Sequence, residues 1–341
     1  MRINSTASET SVSATIAPYL LENSPTFKEI TGLRQKGWNT AKGDRYFENR
    51  QLSQHDMSDR RGMDRKTSVI TFAATDRDLS PRVLDIGMAP CGFTETVLRK
   101  HYDATIRGIT LPLDIGGLKV MLPGWNADLR ILIEFLDVTM LADEMGRPTT
   151  SIPTTHPDFA TFSSNRPFQG ENFDLVFCGA TVQRAHARAD YRKSQERLRL
   201  ATRRLVVALQ RLLDQGSLVL VLYKPEAFCT ADIIRTKKHA VRSSFYMVAT
   251  SVDMQSKETQ SAILGWKTQW EDATFQSDDT LSTCSRVSED RVSEMLAEFE
   301  PQLIKLATPV WRTQADGLRS APFLKEYERT GWKGFIKSGM R

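Results

Sequence analysis

A doubly wound α/β fold with a mostly parallel sheet is predicted for this chain of 341 residues. Three observations predict it. Short apolar runs of strand length alternate with helical patterns through the middle of the sequence. Several of those runs are continuous rather than alternating, as in parallel strands covered on both faces. One stretch, Arg82-Val-Leu-Asp-Ile-Gly-Met-Ala-Pro-Cys-Gly-Phe-Thr94, reads as a strand, a glycine-punctuated turn and a helix start. Its spacing is not Gly-x-Gly-x-x-Gly, so a dinucleotide fingerprint fits poorly.

The elements follow in order. Residues 1–24 begin as a Ser- and Thr-rich tail, expected to be disordered, with Tyr19-Leu20-Leu21 opening a helix. No apolar signal core is present there. Residues 25–80 mix many charges with Phe27, Trp38, Tyr46 and Phe47 and are expected as a helical N-terminal extension. Residues 81–255 carry the sheet domain. Strands are expected at 83–86, 106–111, 131–136, 173–178, 218–223 and 245–249, with helices at 94–102, 117–122, 184–214 and 230–238. Residues 146–172 are rich in Pro, Ser, Thr and Asn and too long for an ordinary connection, so they read as a lid, an insertion or a surface excursion. Residues 256–341 are expected as a mostly helical C-terminal extension, amphipathic at 292–306. Trp266, Trp270, Trp311 and Trp332 give it apolar mass to pack.

The sequence around the first turn resembles a known motif. Asp85-Ile-Gly-Met-Ala-Pro-Cys-Gly-Phe-Thr94 is similar to the first motif of the FtsJ-like methyltransferases, roughly D-L-G-x-A-P-G-G-F/W-S. Asp85, Gly87, Ala89, Pro90, Gly92 and Phe93 match it, Cys91 replaces a glycine and Thr94 a serine. The resemblance implies a Rossmann-like methyltransferase fold, S-adenosylmethionine as cofactor, and the ribose 2′-hydroxyl of RNA as acceptor. It implies that Asp85, Gly87, Ala89, Pro90, Cys91, Gly92 and Phe93 form the cofactor cradle. Asp137, after the third strand, would accept from the adenine amine, with Val138 beside the ring. The alternative for Asp137 is a helix N-cap. Thr110, and less well Asp114, stand on the ribose side, and Cys178 falls where the fourth strand meets the crevice.

Methyl transfer requires an aligned nucleophile and help with its deprotonation. The family uses a Lys-Asp-Lys-Glu tetrad. Here Phe27-Lys28-Glu29-Ile30 is a shortened version of the first segment, Gly179 stands in the place of the Asp, Val221 aligns with the second Lys, and Phe245 replaces the Glu. Lys224 follows Val221 by three residues. The catalytic candidates are therefore Lys28, Lys224 and His186, the last as a general base just after the fourth strand. His156 is a candidate lid residue, while His101 and His239 read as surface. Three readings compete: a methyltransferase for a different nucleophile such as a small molecule or a protein, a silent S-adenosylmethionine- or RNA-binding adaptor, and a variant site restored by Lys28 and Lys224.

Composition narrows the class. Apolar content of 40% and charged content of 26% are those of a soluble globular protein. No apolar run reaches the ~18 residues of a membrane helix, so no membrane partner and an intracellular setting, cytoplasmic or nuclear, are expected. Cys91, Cys178, Cys229 and Cys284 form no C-x-x-C pair, so no metal site is expected. The net charge of +5 is clustered. Arg188, Arg192, Lys193, Arg197, Arg199, Arg203, Arg204 and Arg211 fall on one helix whose buried side is marked by Leu198, Leu205, Leu209 and Leu212. Arg235, Lys237, Lys238 and Arg242 form a second group, and Arg60, Arg61, Arg65 and Lys66 a third. Such groups are either phosphate-tracking surfaces for RNA or solvated helix faces.

Overall fold

The computed structural model describes residues 16–38, 80–182, 186, 188–223, 240–241, 244–276 and 289–321. Its strands are β1 (Arg82–Ile86), β2 (Thr105–Thr110), β3 (Ile131–Phe135), β4 (Phe173–Cys178), β5 (Leu212–Tyr223), β6 (Ala240–Val241) and β7 (Ser244–Val252). They pair in the order β3-β2-β1-β4-β5-β7-β6. β3, β2, β1, β4 and β5 run parallel to one another. The predicted α/β class is what forms. β5 starts at Leu212 rather than 218, because its first residues carry a register shift with Gln215 at φ +62°. Period counting reads such a bulge as a turn.

The helices are α1 (Pro25–Trp38), α2 (Gly92–Lys100), α3 (Arg192–Arg211), α4 (Lys257–Phe275) and α5 (Glu289–Arg319). Residues 16–23 are also helical. The helix expected at 117–122 does not form. Gly117 donates to Pro112 O at 2.8 Å, and a Cβ there would meet Leu111 O at 1.9 Å. The chain therefore folds back on itself as a tight turn, which a helix would not allow. The helix expected at 230–238 lies outside the described residues. The long 146–172 segment is mostly irregular, with two short 3₁₀ turns at Thr149–Ser151 and Phe159–Thr161.

The described residues divide into two compact units, those within 80–221 and 246–276 in the first and those within 16–38, 222–245 and 289–321 in the second. The core of the first gathers Val83, Ile106, Ile133, Phe177 and Val219, and α4 packs against α3. In the second, α1 packs against α5, with Phe27 4.9 Å from Trp311 between ring centroids. The C-terminal segment is thus shared between units: Trp270 of α4 is wholly buried in the first, Trp311 of α5 in the second.

The basic helix behaves in a way that neither expectation covers. Arg192, Arg199, Arg203, Arg204 and Arg211 of α3 are all buried, Arg199 and Arg203 completely. Only Lys193 and Arg197 among its basic residues stand exposed. A guanidinium offers five donors in a flat fork, so it can satisfy carbonyls that loops leave behind. Arg204 donates to Cys178 O, Ala180 O and Val221 O at 3.3, 2.7 and 2.8 Å. Arg211 donates to Glu144 at 2.8 Å and to Pro167 O at 3.1 Å. Arg203 lies 4.2 Å over the Trp270 ring, and its Nε and Nη1 have no hydrogen-bond partner. Burial, with the like charge of Arg199 adding, pushes the Arg203 pKa well below its usual value.

Two substitutions separate these kinds of buried arginine. Arg192→Met strands the buried carboxylates of Glu196 and Asp137 and is expected to cost about 3–5 kcal/mol. Arg203→Met removes a charge whose nitrogens are partly orphaned, and stability is expected to stay within about 1 kcal/mol of the parent or to rise. Urea unfolding measures both; equal losses would contradict the distinction.

Candidate functional site

In the sheet, β1 lies between β2 and β4. The chain leaves β1 toward β2 on one side and leaves β4 toward β5 on the other. Open α/β sheets bind ligands in the crevice at such a switch point, outside the carboxyl ends of the strands. Here the turn after β1 is drawn tightly to its neighbours. Gly87 N and Met88 N donate to Ile109 O at 2.8 and 3.1 Å, and Gly179 N and Ala180 N donate to Ile86 O at 2.8 and 2.9 Å. Gly87 has φ +87°, and a Cβ on it would stand 2.3 Å from Ala180 N. Only glycine serves there. Asp85 is buried and accepts from Thr94 Oγ1 at 2.9 Å, which ties the strand end to the first turn of α2.

Cys91 caps α2 at φ +83°, in the left-handed region that the resembling motif fills with glycine. Its N–H donates to Met88 O at 2.6 Å. Burial, with Asp85 adding, pushes its thiol up to about 11, against hydrogen bonds from the backbone at Met121 and Leu122. It is a neutral thiol beneath the 121–122 segment. Ala89, Pro90 and Gly92 are half-buried on the loop. Phe93 turns into the core, stacked on Phe177 at 4.6 Å and edge-on to Tyr246 at 5.6 Å. Thr110 ends β2 almost fully buried, and Asp114 is exposed. Cys178 does not line a crevice. It is fully buried, its Sγ 3.5 Å from Arg204 O, and burial pushes its thiol up to about 12.

The end of β3 is a packed ionic cluster. Asp137 caps the 3₁₀ turn Val138–Met140, so the capping alternative is what forms. Its Oδ1 accepts from Thr139 N at 2.9 Å and Thr139 Oγ1 at 2.7 Å. Its Oδ2 accepts from Arg192 Nη2 at 3.0 Å and lies 3.3 Å from His186 Nε2. Arg192 also clasps Glu196 at 2.7 and 3.0 Å and donates to Thr139 Oγ1 at 2.8 Å. Burial alone would raise the Asp137 pKa. Hydrogen bonds from His186, Thr139 and Arg192, with the Arg192 charge, overcome that and hold the carboxyl well below the usual carboxylate range. Burial would lower Arg192, and Glu196 and Asp137 raise it above its usual value. Two donors on each oxygen fill the acceptor capacity of Asp137. Its expected bond to an adenine amine would require Arg192 or His186 to give way.

Asp137, His186 and Glu196 have the spacing of a metal triad, with ligand atoms within 4.8 Å of one another. The arrangement does not fit a metal. Arg192 already stands between the two carboxylates as the cation, and they face different nitrogens of the imidazole, Nε2 toward Asp137 and Nδ1 3.7 Å from Glu196. For the same reason His186 is not placed as a general base: both its nitrogens face buried carboxylates.

The remaining expected residues scatter. His156 is fixed within the fold, its Nε2 3.1 Å from Thr274 O and its Nδ1 accepting from Asp158 N at 3.1 Å. Three rings, Phe162, Tyr191 and Phe275, surround it, so it is no lid residue. Lys28 is exposed on α1, in the second unit. Lys224 and two of the basic groups, 60–66 and 235–242, lie outside the described residues. Sequence reasoning missed Arg192 and Glu196. The available signal was that Glu196 is the sole acid in α3, at i+4 from Arg192. A separate cavity of about 390 Å³, lined by Glu144, Glu171, Arg211 and Lys267 among others, lies where the chain enters β4 and β5, away from the crevice.

No family model and no curated protein matches the chain. Solved structures do resemble it. SAM-bound CalS10, an amino pentose methyltransferase from Micromonospora echinaspora, aligns at 18% identity over 54% of this chain and 58% of its own, with a TM-score of 0.31. SAH-bound CalO1, a methyltransferase of calicheamicin biosynthesis, aligns at 14% over 73% and 69%, TM-score 0.31. Human methyltransferase-like protein 13 with SAH aligns at 11% over 67% and 98%, TM-score 0.33. The chain spans less than two thirds of the CalS10 length. At these scores the likenesses carry no argument about activity, which rests on the chain's own residues.

Proposed function

We propose that this chain binds S-adenosylmethionine at the carboxyl ends of β1 to β4 and is a methyltransferase. The observation that carries the reading is the Gly87 turn at the switch point, which has no room for a Cβ, in a stretch that matches a methyltransferase motif at Asp85, Gly87, Ala89, Pro90, Gly92 and Phe93. The cradle fits such a group on two sides. The Gly87–Gly92 loop would lie along its methionine portion, held by the Asp85–Thr94 bond, and Val138 would give an apolar wall for the adenine. S-adenosylmethionine supplies an electrophilic methyl group when bound. The chain's own part is to bind, to exclude water and to orient the acceptor.

The acceptor reading that fits best is a nucleophile needing no strong base, such as a phenol or an amine. Gly179 offers no carboxylate where the FtsJ-like tetrad has one, and His186 is engaged by Asp137 and Glu196. The buried arginines of α3 take away one of the three groups that supported RNA. Those same observations favour a second reading, a cofactor-binding protein without transfer activity.

Calorimetric titration with S-adenosylmethionine, on protein shown by mass spectrometry to carry none, is expected to give micromolar binding. Ala89→Trp, at the half-buried loop surface, is expected to abolish that binding while leaving the melting temperature near the parent's. A folded parent that does not bind would sink the proposal. Turnover of a phenol or amine acceptor would separate the enzyme from the silent binder.

A pH prediction follows from Asp137. Its folded pKa is depressed, so its stabilisation is complete above the unfolded pKa of about 3.9 and is lost as pH falls from there toward the folded value. Asp137→Asn is expected to be less stable at neutral pH and to lose less on acidification. Melting temperature measured against pH for parent and variant tests this; parallel acid limbs would refute it.

A further inference from the structure

The sheet ends at β3, whose one partner strand among the described residues is β2. An edge strand presents backbone groups that another strand can pair with, and natural edges are blunted by charge, proline or bulges. The run here is Leu129-Arg-Ile-Leu-Ile-Glu-Phe135, apolar at five of seven positions. Leu132 is 52% exposed, Phe135 45%, and Leu129 fully.

The hydrogen-bond pattern fixes which residues face outward. Ile106 N donates to Arg130 O and Leu136 N donates to Thr110 O, at 2.8 and 2.9 Å. A parallel ladder uses alternate residues of a strand. Even-numbered residues therefore bond to β2, and Ile131, Ile133 and Phe135 direct their backbone groups to the free edge. Ile131 N already donates to Asp128 O at 2.9 Å, which leaves its carbonyl as the outward group.

This run is self-complementary. In an antiparallel pair with Leu132 opposite Leu132, Ile131 meets Ile133, Leu129 meets Phe135, and Arg130 meets Glu134. The outward-directed odd residues then face one another, as the ladder requires. A slip of one residue sets odd against even and breaks the ladder. A slip of two sets Glu134 opposite Asp128 or opposite Leu132. Only the pairing centred on Leu132 matches both the hydrogen bonds and the charges. Arg130 holds Asp128 through Nε and Nη2 at 2.9 and 2.6 Å and donates from Nη1 to Tyr102 O, yet 41% of its side chain is exposed, so one N–H on each Nη is left for a second carboxylate. Glu134, which takes a backbone hydrogen bond from Phe168, keeps acceptor sites to meet it.

We propose that β3 is the interface of a homodimer, in which two copies pair antiparallel across a two-fold axis at Leu132 and join their sheets. The two-fold makes every contact occur twice: two Arg130–Glu134 pairs flank one Leu132–Leu132 contact, each cross-strand pair adding to the stability of the joined sheet. Ile133 N–H of each copy donates to the Ile131 carbonyl of the other.

Sedimentation velocity of the full chain across the micromolar range tests this. The parent is expected to be a concentration-dependent dimer. Arg130→Glu and Glu134→Arg each set like charges opposite one another and are each expected to be monomeric. Mixed together they regain both pairs, so the mixture is expected to dimerise, which a misfolded variant would not do. Leu132→Cys places two thiols in a non-hydrogen-bonded pair with Cα atoms about 4.5 Å apart, within disulfide reach. It is expected to crosslink to dimer on mild oxidation where the parent does not. A parent that stays monomeric throughout, single variants that remain dimeric, or folded variants whose mixture stays monomeric with Leu132→Cys uncrosslinked would each overturn the interface.

Discussion

The contact on which the candidate site depends is the Arg192 guanidinium at the end of β3. It joins Asp137 from the strand end, Thr139 from the turn that follows, and Glu196 from its own helix, with Asp158 of the long insertion 3.8 Å away. Three stretches far apart in sequence are held by one side chain. A buried charge left alone costs several kcal/mol, whereas this one is surrounded by acceptors. The price of that rigidity is functional: a carboxylate that holds Arg192 and His186 has nothing left for a ligand's amine.

The turn after β1 answers to a different constraint. There the limiting quantity is space rather than charge. The loops after β1 and β4 bond to each other through Ile86 O, and Gly87 sits so near Ala180 that any side chain would force them apart. Cys91 shows how far the motif can bend. It accepts the left-handed backbone of a glycine position, and the 121–122 backbone folds over its sulfur. The crevice keeps its floor although one of its glycines is lost.

What the sequence made legible follows from these two constraints. Strand positions and the Gly87 turn could be read because they depend on local order: apolar runs, then a residue without a side chain. The strand β5 was placed late because a bulge at Gln215 looks like a turn. The fate of α3 was not legible. Its arginines have helical spacing that suits a solvated face, and what buries them is the set of carbonyls and carboxylates brought up by β4, β5, α4 and the insertion. His186 and His156 misled for the same reason. A histidine near a strand end looks available until the partners of both nitrogens are known.

The buried arginines also change what net charge means for this chain. Arg192, Arg199, Arg203, Arg204 and Arg211 lie inside, and so do carboxylates of Asp85, Asp137, Asp158, Glu144 and Glu196. The five buried arginines are thus largely offset by four buried carboxylates and by Asp137, whose side chain is 12% exposed. The formal excess of +5 is then carried mainly outside α3, although that helix is where basic residues are densest in sequence. Attraction for a polyanion follows the field at the surface, and clustering along a sequence counts only where the side chains reach solvent. α3 therefore contributes cohesion where it promised recognition. Any affinity for nucleic acid has to come from basic residues other than these five.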